Sequence, residues 1–233
     1  MAEWTTRENR GSVMAFWATC YQVGGVLATG LAAFLLGRYG WRAAFFGPAL
    51  WLAVVGVAVW LWLAPGPAVA SAGETATRER RAAQRAVLRN PVLWCYGASY
   101  CTIKFIRYAL LFWLPYFLAK KRGYGEEQAG YVSTAFEVGG VVGVITLGIA
   151  SDRLKRYSRS LLSAVGLVAL TLALLSYSRI DSSSTWTNVI GLALIGAALF
   201  GPDALLSGAA SQDAGGPHAA ATAAGFVNGM GSV

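Results

Sequence analysis

Apolar residues gather into long segments along this chain, and short polar connectors separate them. Each segment is long enough, as an α-helix, to cross a hydrocarbon core of about 30 Å at about 1.5 Å per residue. None shows the two-residue alternation of a barrel strand, and all are about twice as long as such a strand. The pattern therefore predicts an all-α, polytopic membrane bundle with six transmembrane helices. The six segments are approximately residues 13–37, 43–64, 92–119, 129–150, 160–178 and 186–210.

Composition supports a membrane protein and argues against nucleic-acid binding. Hydrophobic residues make up 56% of the 233 residues and charged residues 13%, which is too apolar for one soluble domain. The net charge of +8 would suit a nucleic-acid partner. However, almost all of the cations lie in the connectors, as is typical of polytopic membrane proteins. We therefore expect the lipid bilayer as a partner and no nucleic acid.

The distribution of Lys and Arg predicts the orientation of the helices. Six crossings place both ends of the chain on one side, and the connectors of that side carry eleven Lys or Arg against six on the other. The excess predicts cytoplasmic termini in an inner (plasma) membrane. The connectors predicted to be cytoplasmic are 1–12, 65–91, 151–159 and 211 onward, and the opposite ones are 38–42, 120–128 and 179–185.

The longest connector, 65–91, is the one obvious boundary within the chain. It begins with a Pro-Gly-Pro sequence and small residues, and it continues as a basic, potentially helical run. It divides the chain into residues 1–64, the linker 65–91 and residues 92–233. We expect the basic run to be a solvated, lipid-facing linker, with a regulatory partner site as the alternative.

An internal repeat is faintly visible. Residues 4–26 and 211–233 have a similar texture at a constant offset of 207 residues. Both pass from a polar loop into the small-residue start of a helix. Six helices lie within one offset, as in a fold built of two six-helix halves. The repeat predicts that a further helix begins close to residue 233.

Two cations lie in the middle of the third apolar segment. Lys104 and Arg107 are three residues apart, so their side chains share one face of a helix. A charge at bilayer depth costs at least roughly 2.5–3.5 kcal/mol, and it persists where it faces a cavity, a partner or a ligand. The pair therefore predicts an anion site suited to a dianion.

Two acidic residues also lie at membrane depth. Glu137 lies near the middle of the fourth segment, and Asp203 follows a Gly-Pro pair where the sixth segment is expected to kink or break. Each could pair with Lys104 or Arg107 as a gate or carry a coupled proton, and a structural salt bridge is the alternative. Two glycines four residues apart, at 139 and 143, favour close helix packing rather than a ligand site.

The sequence from Gly148 to Arg156 resembles the cytoplasmic loop signature of the major facilitator superfamily, a Gly followed by Asp-Arg and further basic residues. Ala150 and Lys155 stand where the family has a leucine and a second glycine. Asp152, near a helix end, can accept hydrogen bonds, and the following cations hold the loop in the cytoplasm. An ordinary basic loop is the alternative reading of this motif alone.

Two further sequences resemble joints of the same family. Arg10-Gly11 and the run Gly40–Phe45 look like its joints around the fifth and sixth helices. The resemblance implies that the six segments correspond to helices five to ten of a twelve-helix carrier. Residues 1–64 would then be a remnant of the N-terminal half, 65–91 the central linker, and 92–233 helices seven to ten with the start of eleven. The missing helices of the full-length carrier would be partners, and we expect no transport by this chain alone.

The run from Lys104 to Pro115 resembles the seventh helix of the organophosphate:phosphate antiporters, which carry glycerol phosphate and hexose phosphates. The resemblance implies that Arg107 binds phosphate, a task that suits the bidentate hydrogen bonding of a guanidinium group. Lys104 and Tyr108 lie beside it as further binding candidates. Glycerol-3-phosphate carriers have a histidine on the fifth helix where this chain has Tyr21. Tyr21 and the adjacent Gln22 can still donate hydrogen bonds to a substrate.

The resemblance implies a secondary active transporter that exchanges an organic phosphate for inorganic phosphate by alternating access. Glu137 would govern gating, and Asp152 with Arg153 would form a cytoplasmic hinge. Two alternatives stay open: a proton-coupled carrier of another organic anion, and a non-transporting remnant that acts as an interaction module. The chain lacks the GxxxxGK[ST] and HExxH motifs, and its only histidine, His218, lies in a predicted terminal loop. We therefore expect no enzyme, cofactor or metal site.

Overall fold

The computed structural model describes residues 10–62, 74–154, 158–180 and 184–232. Every regular element in these ranges is helical, which confirms the all-α prediction. The opening of the predicted linker, 65–73, and the basic residues Lys155 and Arg156 of the loop motif lie outside the described ranges. The helices are α1 (Arg10–Tyr39), α2 (Trp41–Trp62), α3 (Glu74–Arg89), α4 (Pro91–Arg122), α5 (Glu126–Arg153), α6 (Arg159–Arg179), α7 (Thr185–Ala204) and α8 (Ser211–Met230), and the π-helical segment Leu205–Ala210 joins α7 to α8.

Five stretches of helix are long and apolar enough to cross a membrane. They correspond to the second to sixth predicted segments, whose positions are thus supported by length and composition. The first predicted segment forms the 30-residue helix α1, but α1 is not among the five, so a sixth span stays a prediction. The five stretches are Trp41–Trp62, Pro91–Arg122, Gln128–Arg153, Arg159–Arg179 and Thr185–Gly216.

The prediction of a connector from residue 211 onward is wrong. Ser211 and Gln212 are buried in helix α8, and the Ser211 hydroxyl donates to backbone carbonyls one turn back, at 2.9 and 3.0 Å. Because the backbone satisfies this hydroxyl, a polar residue is accommodated inside a helix. The turn comes later, at Gly216, whose φ of 67° favours glycine. After it α8 continues to Met230.

Helices α5 and α7 pack backbone to backbone in the centre of the bundle. A Cβ atom on Gly139 would lie 2.0 Å from the carbonyl oxygen of Ala193, and one on Gly143 would lie 2.1 Å from that of Ala197. Both spacings advance by four residues, so the two helices run in parallel. The prediction that these glycines serve close helix packing is confirmed. The packing places Phe200 of α7 against α5 and beside the candidate site.

The basic linker contains helix α3, which is docked rather than free. Val87 of α3 is buried, and the indole nitrogen of Trp94 on α4 donates to the carbonyl oxygen of Leu88 at 2.9 Å. Trp94 in turn packs on Phe226 of α8, with ring centroids 5.0 Å apart. The arginines of the described part of this helix are exposed, as a solvated face requires; they are Arg81, Arg85 and Arg89.

Candidate anion-binding site

Helix α4 holds the two predicted cations at its centre. It begins at Pro91, where the side chain of Asn90 accepts a hydrogen bond from the Val92 amide at 3.0 Å. It ends at Arg122, before Gly123 with φ 73°. At about 1.5 Å per residue, Lys104 and Arg107 each lie about 20 Å from the nearer end of the helix. The two side chains are therefore at mid-depth of a membrane-spanning helix.

Arg107 forms a loose ion pair with Asp203 of α7. Its Nη1 atom lies 3.4 Å from the Asp203 Oδ2 atom, and the two side chains are only 14% and 10% exposed. The guanidinium carbon lies 4.6 Å from the centre of the Phe200 ring, close enough for a cation–π interaction. The Arg107 Nε atom and the Asp203 Oδ1 atom are both buried without a hydrogen-bond partner. Each charged group therefore keeps one buried polar atom that no hydrogen bond satisfies in this conformation.

Lys104 is held between two aromatic rings rather than by an acid. Its Nζ atom lies 5.3 Å from the centre of the Tyr100 ring and 5.4 Å from that of Tyr108. Within the described ranges it forms no ion pair shorter than 4 Å, although Asp203 lies within its electrostatic reach. The rings fix the position of the ammonium group while leaving its charge uncompensated by direct contact.

The candidates on α1 differ from each other although they are adjacent. The side chain of Gln22 is 2% exposed, and its Oε1 atom is buried without a hydrogen-bond partner. Tyr21 is 62% exposed, and its ring meets that of Trp17 edge to face. In the part of the chain that is described, neither accepts a hydrogen bond from Lys104 or Arg107. The structure therefore brings together Lys104, Arg107 and Tyr108, but it does not join the α1 residues to them.

Glu137 of α5 is close to the site without being bonded to it. The residue is half-buried, and its carboxylate lies within the electrostatic reach of Arg107. It makes no ion pair shorter than 4 Å with any described residue. Its neighbour Phe136 packs on Phe200, with ring centroids 5.1 Å apart. The predicted pairing of Glu137 with a cation as a gate is absent from this conformation.

At the end of the bundle that holds Asp152, a second charged cluster joins four helices. The carboxylate of Asp152 accepts hydrogen bonds from the backbone amides of Gly11 at 3.0 Å and Ser12 at 2.6 Å, which caps α1. Arg159 of α6 lies 3.2 Å from Asp152 and 3.1 Å from Asp213 of α8. Asp152 thus accepts hydrogen bonds as predicted, and it ties the end of α5 to the start of α1.

Sequence reasoning missed two members of this cluster. Both residues, Arg159 and Asp213, lie in segments that the sequence predicts to be connectors. Their pairing joins residues far apart in the chain. The predicted hinge residue Arg153 is exposed. A signal existed for Arg159, the first residue of α6 and one residue after a Ser that caps this helix. Arg159 and Asp213 therefore join Asp152 as candidate hinge residues. Arg153 has no buried contact in the described structure.

The family model for the Major Facilitator Superfamily matches residues 1–233, which is the whole chain. Putative glycerol-3-phosphate transporter 3 of Arabidopsis thaliana is 30% identical over 270 residues, covering all of this chain and 52% of the relative. Putative glycerol-3-phosphate transporter 2 of the same organism is 29% identical with 53% covered. Sugar phosphate exchanger 3 of Gallus gallus is 27% identical over 276 residues, with 54% covered.

The chain spans about half the length of the curated relatives it matches. Because the family match extends over every residue, the predicted resemblance is confirmed at the level of the family. The proteins it resembles are transporters and exchangers rather than enzymes. The chain belongs to the major facilitator superfamily and is a multi-pass membrane protein related to glycerol-3-phosphate transporters and sugar phosphate exchangers.

Proposed function

We propose that this chain is part of a secondary active carrier that exchanges an organic phosphate for inorganic phosphate by alternating access. The organic phosphate belongs to the sugar phosphate or glycerol phosphate class. The observation that carries the proposal is the guanidinium group of Arg107, buried at mid-depth with its Nε atom unpartnered. Such a group can take two phosphate oxygens through parallel, charge-assisted hydrogen bonds. The names of the relatives, which are glycerol-3-phosphate transporters and sugar phosphate exchangers, support the same substrate class.

The candidate residues bind different parts of the substrate. Arg107 holds the phosphoryl group, and Lys104 adds a second positive charge that favours a dianion over a monoanion. Tyr108 positions Lys104 through its ring. Gln22, with a buried and unpartnered Oε1 atom, and Tyr21 offer hydrogen bonds to the hydroxyl groups of the organic part.

Transport requires the site to open alternately to the two sides of the membrane. Glu137 acts as the gate near Arg107, and the cluster of Asp152, Arg159 and Asp213 acts as the hinge, with Arg153 on its exposed side. Residues 1–64 and 92–233 belong to the two halves, and the linker 65–91 joins them. We place the termini in the cytoplasm and the carrier in the inner (plasma) membrane, with the remaining helices of a full carrier as partners.

The test is the uptake of radiolabelled glycerol-3-phosphate into proteoliposomes with and without internal phosphate. For a carrier that joins this chain to the missing helices, exchange predicts uptake that internal phosphate stimulates. Uptake that does not depend on internal phosphate but depends on the pH gradient would contradict exchange. It would favour a proton-coupled carrier of organic anions.

A second candidate is an interaction module that does not transport. Helix α2 favours it, because none of its residues is buried although it is strongly apolar. A membrane span without a buried residue needs lipid or other helices around it. We expect residues 1–233 alone to bind phosphate without transporting it. Robust uptake by proteoliposomes that contain only these residues would contradict that expectation.

A further inference from the structure

Asp203 occupies the place beside Arg107 that a phosphate oxygen would need. The Arg107 Nη1 atom and the Asp203 Oδ2 atom are 3.4 Å apart, longer than the 2.7–2.9 Å of a good charge-assisted hydrogen bond. Carboxylate and phosphate oxygens accept the same hydrogen bonds from a guanidinium group. Asp203 therefore binds the guanidinium group of Arg107 only weakly, and a ligand that forms stronger hydrogen bonds can replace it.

The second oxygen of the Asp203 carboxylate has no hydrogen-bond partner. Asp203 Oδ1 is buried without a hydrogen-bond partner, and so is Arg107 Nε. An unsatisfied buried charge is costly, and the other buried acid of an ion pair, Asp152, accepts two further hydrogen bonds from backbone amides. Here the donor and the acceptor that stay open belong to the two partners of one ion pair.

The backbone of α7 at Asp203 departs from regular α-helix. Pro202 precedes it and has no amide hydrogen to donate, and the π-helical segment Leu205–Ala210 begins two residues later. The Ser207 hydroxyl donates to the Asp203 carbonyl oxygen at 2.7 Å, which satisfies the widened turn. Single π-helical turns inside α-helices occur frequently at functional sites. Asp203 is therefore carried by a part of α7 whose backbone hydrogen bonding departs from that of a regular α-helix.

We propose that Asp203 is a built-in competitor for the phosphate site, which sets both its affinity and its preference for charge. This rests on the proposed role of Arg107 in phosphate binding. In the empty site the carboxylate neutralises the arginine. A bound phosphate displaces it from the guanidinium, and the carboxylate then repels the ligand with a strength proportional to the ligand's charge. Release of the substrate is the return of Asp203 to Arg107.

The charges of the site give a quantitative expectation. Lys104, Arg107 and Asp203 sum to one positive charge, and an amide in place of the carboxylate raises the sum to two. Removing the competing charge therefore strengthens binding by about tenfold per unit of ligand charge at an effective dielectric constant intermediate between protein and water. A monoanion gains about tenfold, and a dianion gains about a hundredfold.

The experiment measures binding of methyl phosphate and dimethyl phosphate to the 233-residue chain in lipid nanodiscs at pH 8, where a phosphate monoester is dianionic. We expect Asp203→Asn to bind both more tightly than the unmodified chain, with the larger gain for methyl phosphate. Asp203→Glu, which retains the charge, should keep the original ratio of the two affinities. The matched control Asp213→Asn removes an acid that also pairs with an arginine, and it should leave that ratio unchanged.

The outcomes separate the two proposals. If Arg107→Lys weakens binding but Asp203→Asn does not tighten it, the phosphate site stands and the competitor role is wrong. If the unmodified chain binds neither ester, both proposals fail. Because Asp203→Asn leaves Arg107 without its counter-ion, the variant should be purified in phosphate. A variant that is folded only with phosphate supports the proposal, and one that stays unfolded in saturating phosphate overturns it.

Discussion

Two arginine–aspartate contacts of equal burial behave differently in this molecule. Arg107 and Asp203 are 14% and 10% exposed, and Arg159 and Asp152 are 12% and 9% exposed. Asp152 accepts two backbone hydrogen bonds and an arginine, all within 3.2 Å. Asp203 has one contact at 3.4 Å and an oxygen without a partner. Burial alone does not distinguish the two acids, but hydrogen-bond satisfaction does.

At the opposite end of the bundle, hydrogen bonds between neutral side chains join α6, α7 and the connector between α4 and α5. The fully buried Asn188 of α7 accepts a hydrogen bond from the Tyr177 hydroxyl at 2.7 Å and donates to the Tyr124 hydroxyl at 3.0 Å. Arg122 donates to the backbone carbonyl oxygen of Ile180 beside this network. Hydrogen-bonded polar networks therefore lie at both ends of the bundle, and the weaker Arg107–Asp203 contact lies between them.

The largest expected effect is on stability at the Asp152 end. Asp152→Ala removes the cap of α1 and leaves a buried arginine with one acid fewer, so the free energy of unfolding should fall by about 3–4 kcal/mol. Equilibrium unfolding in mixed micelles measures it. The control Arg153→Ala, at the exposed neighbour, should change it by less than about 0.5 kcal/mol. Equal effects of the two substitutions would remove the evidence for a cluster built around Asp152.

A smaller loss is expected at the neutral network. Asn188→Ala leaves the hydroxyls of Tyr177 and Tyr124 without their partner, which should cost about 2 kcal/mol of unfolding free energy. The same micelle titration checks this, with the exposed Ser178→Ala as its control. Phosphate affinity should stay within about twofold, because the network lies at the end of the bundle remote from Arg107. A loss of affinity without a loss of stability would show that this end takes part in binding.

The smallest effect is expected at Lys104, and it distinguishes the role of this cation from that of Arg107. Lys104→Gln removes one charge that reaches the ligand over a distance, so phosphate affinity should fall by about three- to tenfold. Equilibrium binding of radiolabelled phosphate measures this. Lys120→Gln, at the exposed end of the same helix, should have no effect. A loss at Lys104 larger than that of Arg107→Lys would reverse their proposed roles.

The sequence was sufficient for those features that depend on local pattern. Runs of about twenty apolar residues predicted α4 to α7 within a few residues, and the spacing of Gly139 and Gly143 predicted a close helix contact. The prediction from local pattern failed at Ser211, because a serine whose hydroxyl bonds to its own helix has the same pattern as a serine in a loop. It also missed Arg159 and Asp213. Their contact with Asp152 depends on how four helices meet, and no local pattern contains that information.

The candidate site was predictable only in its parts. Lys104 and Arg107 stand out in an apolar segment, and Asp203 stands out after a Gly-Pro pair. The sequence could not show that Asp203 pairs with Arg107, that Lys104 lies between two rings, or that Glu137 stays unpaired. These facts follow from the parallel packing of α5 and α7, which turns Phe200 and Asp203 towards α4.

Equilibrium binding of radiolabelled inorganic phosphate to the unmodified chain and to Arg107→Lys, both in lipid nanodiscs, tests the central claim most directly. Lysine keeps the charge but loses the bidentate geometry, so the affinity should fall by about tenfold or more while the fold is retained. The control Arg42→Lys, at an exposed cation beside Trp41, should bind as the unmodified chain does. An affinity of Arg107→Lys within about twofold of the original would contradict phosphate recognition by this arginine.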